Sequence, residues 1–281
     1  MEDRHTIGRY EILDRLFVEP GQDRVTTIYR GRDPQTDTPA AIKTIDFSEA
    51  CKQEKVQETK DRLQREAALT KQLAHPGIMA IYEAGEVDDL TYVATELVEG
   101  ENLEIYCDKA SLLPLKTVLD IVAQIADVLH HTHEKGLVHR NIKPANIMVL
   151  KDGSVKVTGF GIAKSVDDKQ SAKKALLGTP NYMSPEQAMG LEIDGRSDIF
   201  SLGVVFFRLL TGELPFTAKT LKDLLYAIAQ SRHASVSAID PNIPSGVENI
   251  VDKALAKRVD KRYQAAGEMS QDIRALESEK G

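Results

Sequence analysis

The residues Leu137 to Gly161 read LVHRNIKPANIMVLKDGSVKVTGFG, and the rest of the chain can be placed around them. Two apolar runs, Ile147 to Leu150 and Ser154 to Val157, flank Lys151-Asp152-Gly153. An Asp-Gly pair between such runs is a strong hairpin signal, because glycine accepts the positive φ of a tight turn. A hairpin here sets Asn146, just before its first strand, near Gly159, just after its second. The chemistry open to that corner follows from its side chains. The neutral amide of Asn141 accepts a hydrogen bond from a hydroxyl, but it is no carboxylate base. Gly159 has no oxygen to offer a hard cation.

His139-Arg140-Asn141-Ile142-Lys143-Pro144-Ala145-Asn146 resembles the catalytic loop of protein kinases. Gly159-Phe160-Gly161 resembles the family's metal-binding Asp-Phe-Gly turn. Two positions depart from the pattern. Asn141 stands where the family has its catalytic-base Asp, and Gly159 where it has its magnesium-holding Asp. General base catalysis is worth roughly 10²–10⁴ in rate, and phosphoryl transfer depends on metal and positioning for most of its charge stabilisation. The resemblance implies an α+β, bilobal protein kinase-like fold close to that of bacterial Ser/Thr kinases. A small β-rich lobe with helix C is expected over 9–97 and a larger, mainly helical lobe over 98–277. It implies a pseudokinase, with Asn141 and Gly159 as degenerate catalytic positions and no metal ligand set.

At 281 residues the chain is long enough for two packed lobes. Its 42% hydrophobic and 28% charged residues are ordinary for a globular protein. A net charge of −7 argues against a general nucleic-acid or anionic-membrane binder. Cys51 and Cys107 have no paired spacing, so a reducing compartment is expected, with neither a disulfide framework nor a zinc site. The start, MEDRHTIGRYEI, carries no apolar signal region. The most apolar run, Ile199 to Leu210, is too short to span a bilayer, contains Arg208, and reads as a buried helix. A cytoplasmic location is the expectation.

In chain order, Tyr10 to Phe17, Arg24 to Arg30 and Pro39 to Ile45 read as strands, with turns at Glu19–Asp23 and Asp33–Asp37. They are similar to the first strands of a kinase small lobe. The family's first hairpin carries glycines that let backbone amides close over phosphates. Here Phe17 to Thr26 keeps one glycine, while Pro20 lacks an amide donor and Glu19 and Asp23 repel phosphate. Ser48 to Leu73 reads as a charged helix, and the resemblance pairs Lys43 of Ala41-Ile42-Lys43 with Glu66 on it. Taken alone, Glu66 reads as a solvated glutamate on a charged helix, but the matched spacing on both sides favours the pair. Ile78 to Glu83 and Leu90 to Thr95 read as further strands. Glu96 to Gly100 resembles the hinge, with Thr95 as gatekeeper and backbone groups of Glu96 and Val98 facing an adenine edge.

Leu115 to His133 has helical apolar spacing and ends before Gly136. His130, His131 and His133 lack a carboxylate or Cys to complete a metal site and read as a helix end facing the loop. Gly178 to Glu186 resembles the end of an activation segment. By the same resemblance Asp198 is the large lobe's anchor, Glu186 and Arg262 form an ion pair, and His139 and Phe160 belong to a stacked spine. Ser165, Ser171 and Thr179 are acceptors that a separate enzyme could phosphorylate to meet Arg140. Leu221 to Ala229, Val247 to Leu255 and Ala265 to Leu276 read as closing helices. The expected function is a binding or regulatory module whose partner is another protein, such as an active kinase or signalling component, with no nucleic-acid or membrane contact. Lys43, Glu66, Glu96, Val98 and Asn146 are then vestigial nucleotide-binding positions. No cofactor is expected, ATP binding is weak or absent, and magnesium-dependent binding is not expected. Two alternatives compete: a residual or unorthodox Ser/Thr kinase, and another nucleotide transfer on the kinase fold.

Overall fold

Period-two patterns rich in β-branched residues build the first third of the chain. The computed structural model describes residues 5–20, 24–47, 53–87, 90–160, 164–165 and 180–278. Thr6–Ile7 (β1), Tyr10–Pro20 (β2), Arg24–Asp33 (β3) and Thr38–Phe47 (β4) precede a helix, Gln53–Leu73 (α1). Ile81–Val87 (β5) and Leu90–Glu96 (β6) follow it. The six strands form one antiparallel sheet in the order β1-β2-β3-β4-β6-β5. Ile7, Tyr10, Ala40, Ile42, Tyr92 and Ala94 are buried together on it, and Ala67 of α1 packs with Ile81 and Val93.

The structure moves several predicted boundaries. Strand β2 runs through the expected turn to Pro20, which pairs with Val25, so only 21–23 separate the strands. Cross-strand pairing carries Glu19 and Pro20 where composition suggests a turn, and proline is tolerated at a strand end. Strand β5 begins at Ile81, three residues late, because Ile78 and Met79 are buried as packing groups before the ladder starts. The predicted start of helix C, at 48–52, lies outside the described residues.

The chain divides into two compact units, Met1–Glu99 and Gly100–Gly281. The second opens with Gly100–Asn102 (β7), a strand that sequence reasoning does not identify and whose first residue it leaves in the hinge. It continues with Leu115–Glu134 (α2), Leu137–Val138 (β8), Ile147–Leu150 (β9), Val155–Val157 (β10) and Lys164–Ser165 (β11). The hairpin forms as predicted, Val157 opposite Ile147, and β7 joins it in a three-stranded sheet, β10-β9-β7. Pro185–Met189 (α3), Gly195–Thr211 (α4), Leu221–Gln230 (α5), Val236–Ile239 (α6), Ser245–Ala254 (α7) and Ala266–Ser278 (α8) complete the unit.

Helix α4 is apolar nearly all round, the signature of a central helix, and packs against α2 and α7. At Gly203 a Cβ would stand 2.9 Å from that of Ala254, so a glycine is what lets α7 approach. Asp194 caps α4 by accepting the amide of Arg196, which places Asp198 in the first turn rather than at the opening position. Ser184 and Gln187 form a reciprocal capping box on α3. No helix among the described residues is long and apolar enough to cross a membrane.

Candidate functional site

In the small unit, Lys43 lies on β4 between Ile28 and Val93, its side chain exposed beside buried Ile42 and Thr44. Glu66 is half-buried on α1, next to Ala67, which packs on Val93 and Ile81. The helix bearing Glu66 thus rests on the register partner of Lys43. The Glu96 N–H donates to the Ala80 carbonyl at 3.0 Å, and the Glu96 carboxylate accepts the Ala80 N–H at 2.7 Å. The Thr95 hydroxyl donates to the Glu96 carbonyl at 3.2 Å. These bonds fix the end of β6, and half-buried Val98 follows outside regular structure.

In the large unit the hairpin places the loop. Thr158, after β10, donates its N–H to the Asn146 carbonyl at 2.8 Å, so Asn146 and Gly159 come together as the sequence implies. The Asn146 side chain donates from Nδ2 to the Asn141 carbonyl at 2.8 Å. A Cβ at position 159 would stand 2.7 Å from that Nδ2 and 2.8 Å from Cγ, so the Asn146 amide lies directly against the glycine. Gly159 has φ +88, in the left-handed region, and Arg140 has φ +65. An L residue held there is strained backbone of the kind found at functional loops.

His139 is buried between the two halves of the loop. Its Nδ1 accepts the Asn141 N–H at 3.2 Å, which leaves the ring proton on Nε2, donated to the Thr158 carbonyl at 2.9 Å. The ring meets Phe160 edge-on, with centroids 4.4 Å apart. Burial, against the pull of Asp198, holds the imidazole below its ordinary pKa. Asp198 itself is fully buried and accepts the backbone N–H of His139 at 2.8 Å and of Arg140 at 2.7 Å. Burial pushes its carboxyl up, but the hydrogen bond to the His133 ring at 2.8 Å and that from the His139 amide help to outweigh it and hold the carboxyl low.

Sequence reasoning places Asp198 correctly as anchor but misses its third partner. His133 reads as a helix end facing the loop, and only the tertiary fold shows it bonded to Asp198. Two further supports are invisible in sequence: the Asn102 side chain donating to the Ala145 carbonyl at 3.0 Å, and Gln187 donating to the Arg140 carbonyl at 3.0 Å. Ser171, Thr179 and Gly161 lie outside the described residues.

A divalent cation fits this turn poorly. Asn141, Asn146 and Gly159 supply amide groups and no carboxylate, whereas magnesium takes carboxylate and phosphate oxygens. Among the described residues no group of three or more His, Cys, Asp or Glu is placed to hold a metal.

The profile of the Protein kinase domain matches residues 18–272. The chain belongs to the protein kinase family. Its kinase domain is 37% identical over 268 residues to the serine/threonine-protein kinase PrkC of Bacillus subtilis, covering 95% of this chain and 40% of that protein. It is 36% identical over 282 residues to the probable serine/threonine-protein kinase SCO3848 of Streptomyces coelicolor, covering 98% and 41%. With the serine/threonine-protein kinase PknB of Mycobacterium leprae it shares 34% identity over 280 residues, covering 96% and 43%. The chain thus spans about two fifths of the length of these curated relatives. The kinase domain keeps the family's α+β architecture, a curled sheet with one helix in one unit and a mainly helical second unit.

Proposed function

We propose that this kinase domain works by binding another protein, in the cytoplasm, without magnesium-dependent phosphoryl transfer. The observation that carries the reading is the donor set of the loop: an amide at 141, an amide at 146 turned onto the Asn141 carbonyl, and no side chain at 159. The family's chemistry needs a carboxylate at two of these positions. Meanwhile Asp198, Glu186 and Arg262, which hold the fold, keep their bonds. The partner is a protein of a phosphorylation pathway; nucleic acid and membrane are not part of this reading.

The second reading is ATP-dependent phosphorylation of Ser or Thr, and similarity to known proteins favours it over the first. The relatives named above are called serine/threonine-protein kinases, and Lys43, Glu66 and Asn146 stand where the family's nucleotide-binding residues stand. One experiment separates the two. Thermal melts with millimolar ATP, with and without magnesium, are run beside a phosphate-transfer assay on a basic protein. A ligand at 100 times its dissociation constant stabilises by about 2.7 kcal/mol, which is roughly 5–11 °C in a domain of this size. Binding without catalysis gives no magnesium-dependent rise and no transfer. A magnesium-dependent rise of several degrees with turnover establishes the kinase reading and ends the first. Label from α-labelled ATP appearing on protein, with release of pyrophosphate, indicates another nucleotide transfer.

A further inference from the structure

The outer edge of the small unit's sheet is open. Strand β1 covers only the start of β2, pairing with Tyr10 and Glu11, and the Ile12 N–H donates to the His5 carbonyl at 3.0 Å. From Leu13 to Pro20, β2 has β3 on one side and, among the described residues, no strand on the other. Its register against β3 shifts twice, between Ile12 and Asp14 and between Arg15 and Phe17, so Leu13 and Leu16 have no partner on β3. All six residues from Leu13 to Val18 are exposed, the four apolar ones, Leu13, Leu16, Phe17 and Val18, by 42–57%. Successive strand residues face opposite sides, so neither face of this stretch is covered.

The charges on it are unequal. Asp14 is met by Arg30 through two bonds, Nε to Oδ1 at 2.8 Å and Nη2 to Oδ2 at 2.9 Å. Arg15 has no acidic partner among the described residues. Bulges and charges on an edge keep it from pairing with any strand that passes. With Asp14 neutralised, Arg15 is left to select the charge set opposite it.

We infer that β2 from Leu13 to Val18 is a docking edge for an extended segment of a partner protein, a short strand with an acidic residue opposite Arg15 and apolar residues beside it.

The inference rests on the reading of this domain as a protein-binding module and gives the chemistry of the partner. The occupant is a strand because the open groups are main-chain N–H and C=O, which an extended chain meets at their own repeat. Its side chains then lie over Leu13, Leu16, Phe17 and Val18 on the two uncovered faces, and its carboxylate discharges Arg15 as a cross-strand pair.

The probe is a blocked peptide, Thr-Val-Thr-Glu-Thr-Val-Thr, titrated to millimolar concentration into the nitrogen-15-labelled whole chain. Two control peptides carry Lys in place of Glu, or N-methyl groups on alternate residues. Amide shifts are expected at Leu13 to Val18, with the Lys peptide at least about 2-fold weaker and the N-methylated peptide silent. Arg15→Glu, at an exposed position, should reverse the preference for Glu over Lys. No shift at these amides, equal binding of the Glu and Lys peptides, or undiminished binding of the N-methylated one overturns the inference. So does a dimer of the chain alone, seen by sedimentation and dispersed by Leu16→Asp, which gives the edge to a second copy. Peptide binding that begins only when Met1–Arg4 is removed gives it to the chain's own start and overturns the inference too. Failure of the peptide without phosphate transfer sinks the edge alone, whereas transfer in the ATP assay sinks the binding-module reading on which it rests.

Discussion

Arg262→Leu tests what holds the large unit together. In the native domain the Arg262 guanidinium is 0% exposed and its partner Glu186 5%. The two meet end-on, Nη1 to Oε1 at 2.7 Å and Nη2 to Oε2 at 2.8 Å, and the Ser197 hydroxyl also donates to Glu186. Arg262 further donates to the carbonyls of Ala256, Arg196 and Lys257 at 2.7, 3.0 and 3.1 Å. Removing it leaves a buried carboxylate without its counter-charge, which costs about 3–5 kcal/mol out of a total of about 5–15 kcal/mol. At roughly 2–4 °C per kcal/mol, the melting temperature should fall by about 6–20 °C. Glu186→Leu with Arg262→Leu removes the orphan charge as well and should recover part of the loss. Acid sensitivity gives a second reading. Burial pushes the Glu186 carboxyl up, yet Arg262 and Ser197 hold it below its ordinary value of 4.5. Its contribution is therefore present above 4.5 and lost as pH falls through the lower native value. That acid slope should flatten in Arg262→Leu. Calorimetric melts from pH 7 down to pH 3 measure both effects. A single variant melting within about 2 °C of wild type, or a double variant melting no higher than the single, would refute the reasoning.

Asn141→Asp with Gly159→Asp should remain at least about 10²-fold below ordinary kinase turnover of about 1–100 per second, because the hairpin from Phe17 to Thr26 still lacks the family's glycines; full recovery in a radiolabelled ATP assay would show that hairpin to be competent. Asp198→Ala strips the acceptor from the His139 and Arg140 amides, each costing about 1–3 kcal/mol when left buried and unmet, so exchange of both amides should accelerate well before the unit melts. His139, held below 6.5 mainly by burial, stays neutral while the unfolded chain takes up a proton, so its stability is complete above 6.5 and declines as pH falls from there towards the native value. A urea midpoint that stays flat between pH 7 and pH 5 would count against that reading.

The loop was legible because its signals are local. Asp152-Gly153 between two apolar runs specifies a hairpin by turn chemistry alone, and a hairpin fixes where Asn146 and Gly159 must meet. The anchor, Asp198, and the pair Glu186 with Arg262 were legible only through family resemblance, since nothing in the spacing of 186 and 262 implies a contact. His133, Asn102 and Gln187 were not legible in either way. Each supports the loop by a bond to a distant carbonyl or carboxylate, and a polar side chain on a helix or strand carries no mark of what tertiary packing will set against it. Strand ends were misplaced for a related reason: Ile78 and Glu19 follow composition in sequence but packing and cross-strand pairing in the fold.

The backbone at Gly159 has a historical consequence. At φ +88 an L side chain costs about 1 kcal/mol, and here it must also displace the Asn146 amide. An aspartate in this backbone would be held against its own preference, in return for an ion it could bind. Once selection for that ion relaxes, exchange to glycine is downhill for folding, and a single-base change in an aspartate codon reaches it. The reverse step is uphill, with no benefit until a second acid returns at 141 and a phosphate-binding hairpin forms. A turn of this shape would act as a ratchet: a lineage that lost the acid would gain stability, and drift alone would not carry it back.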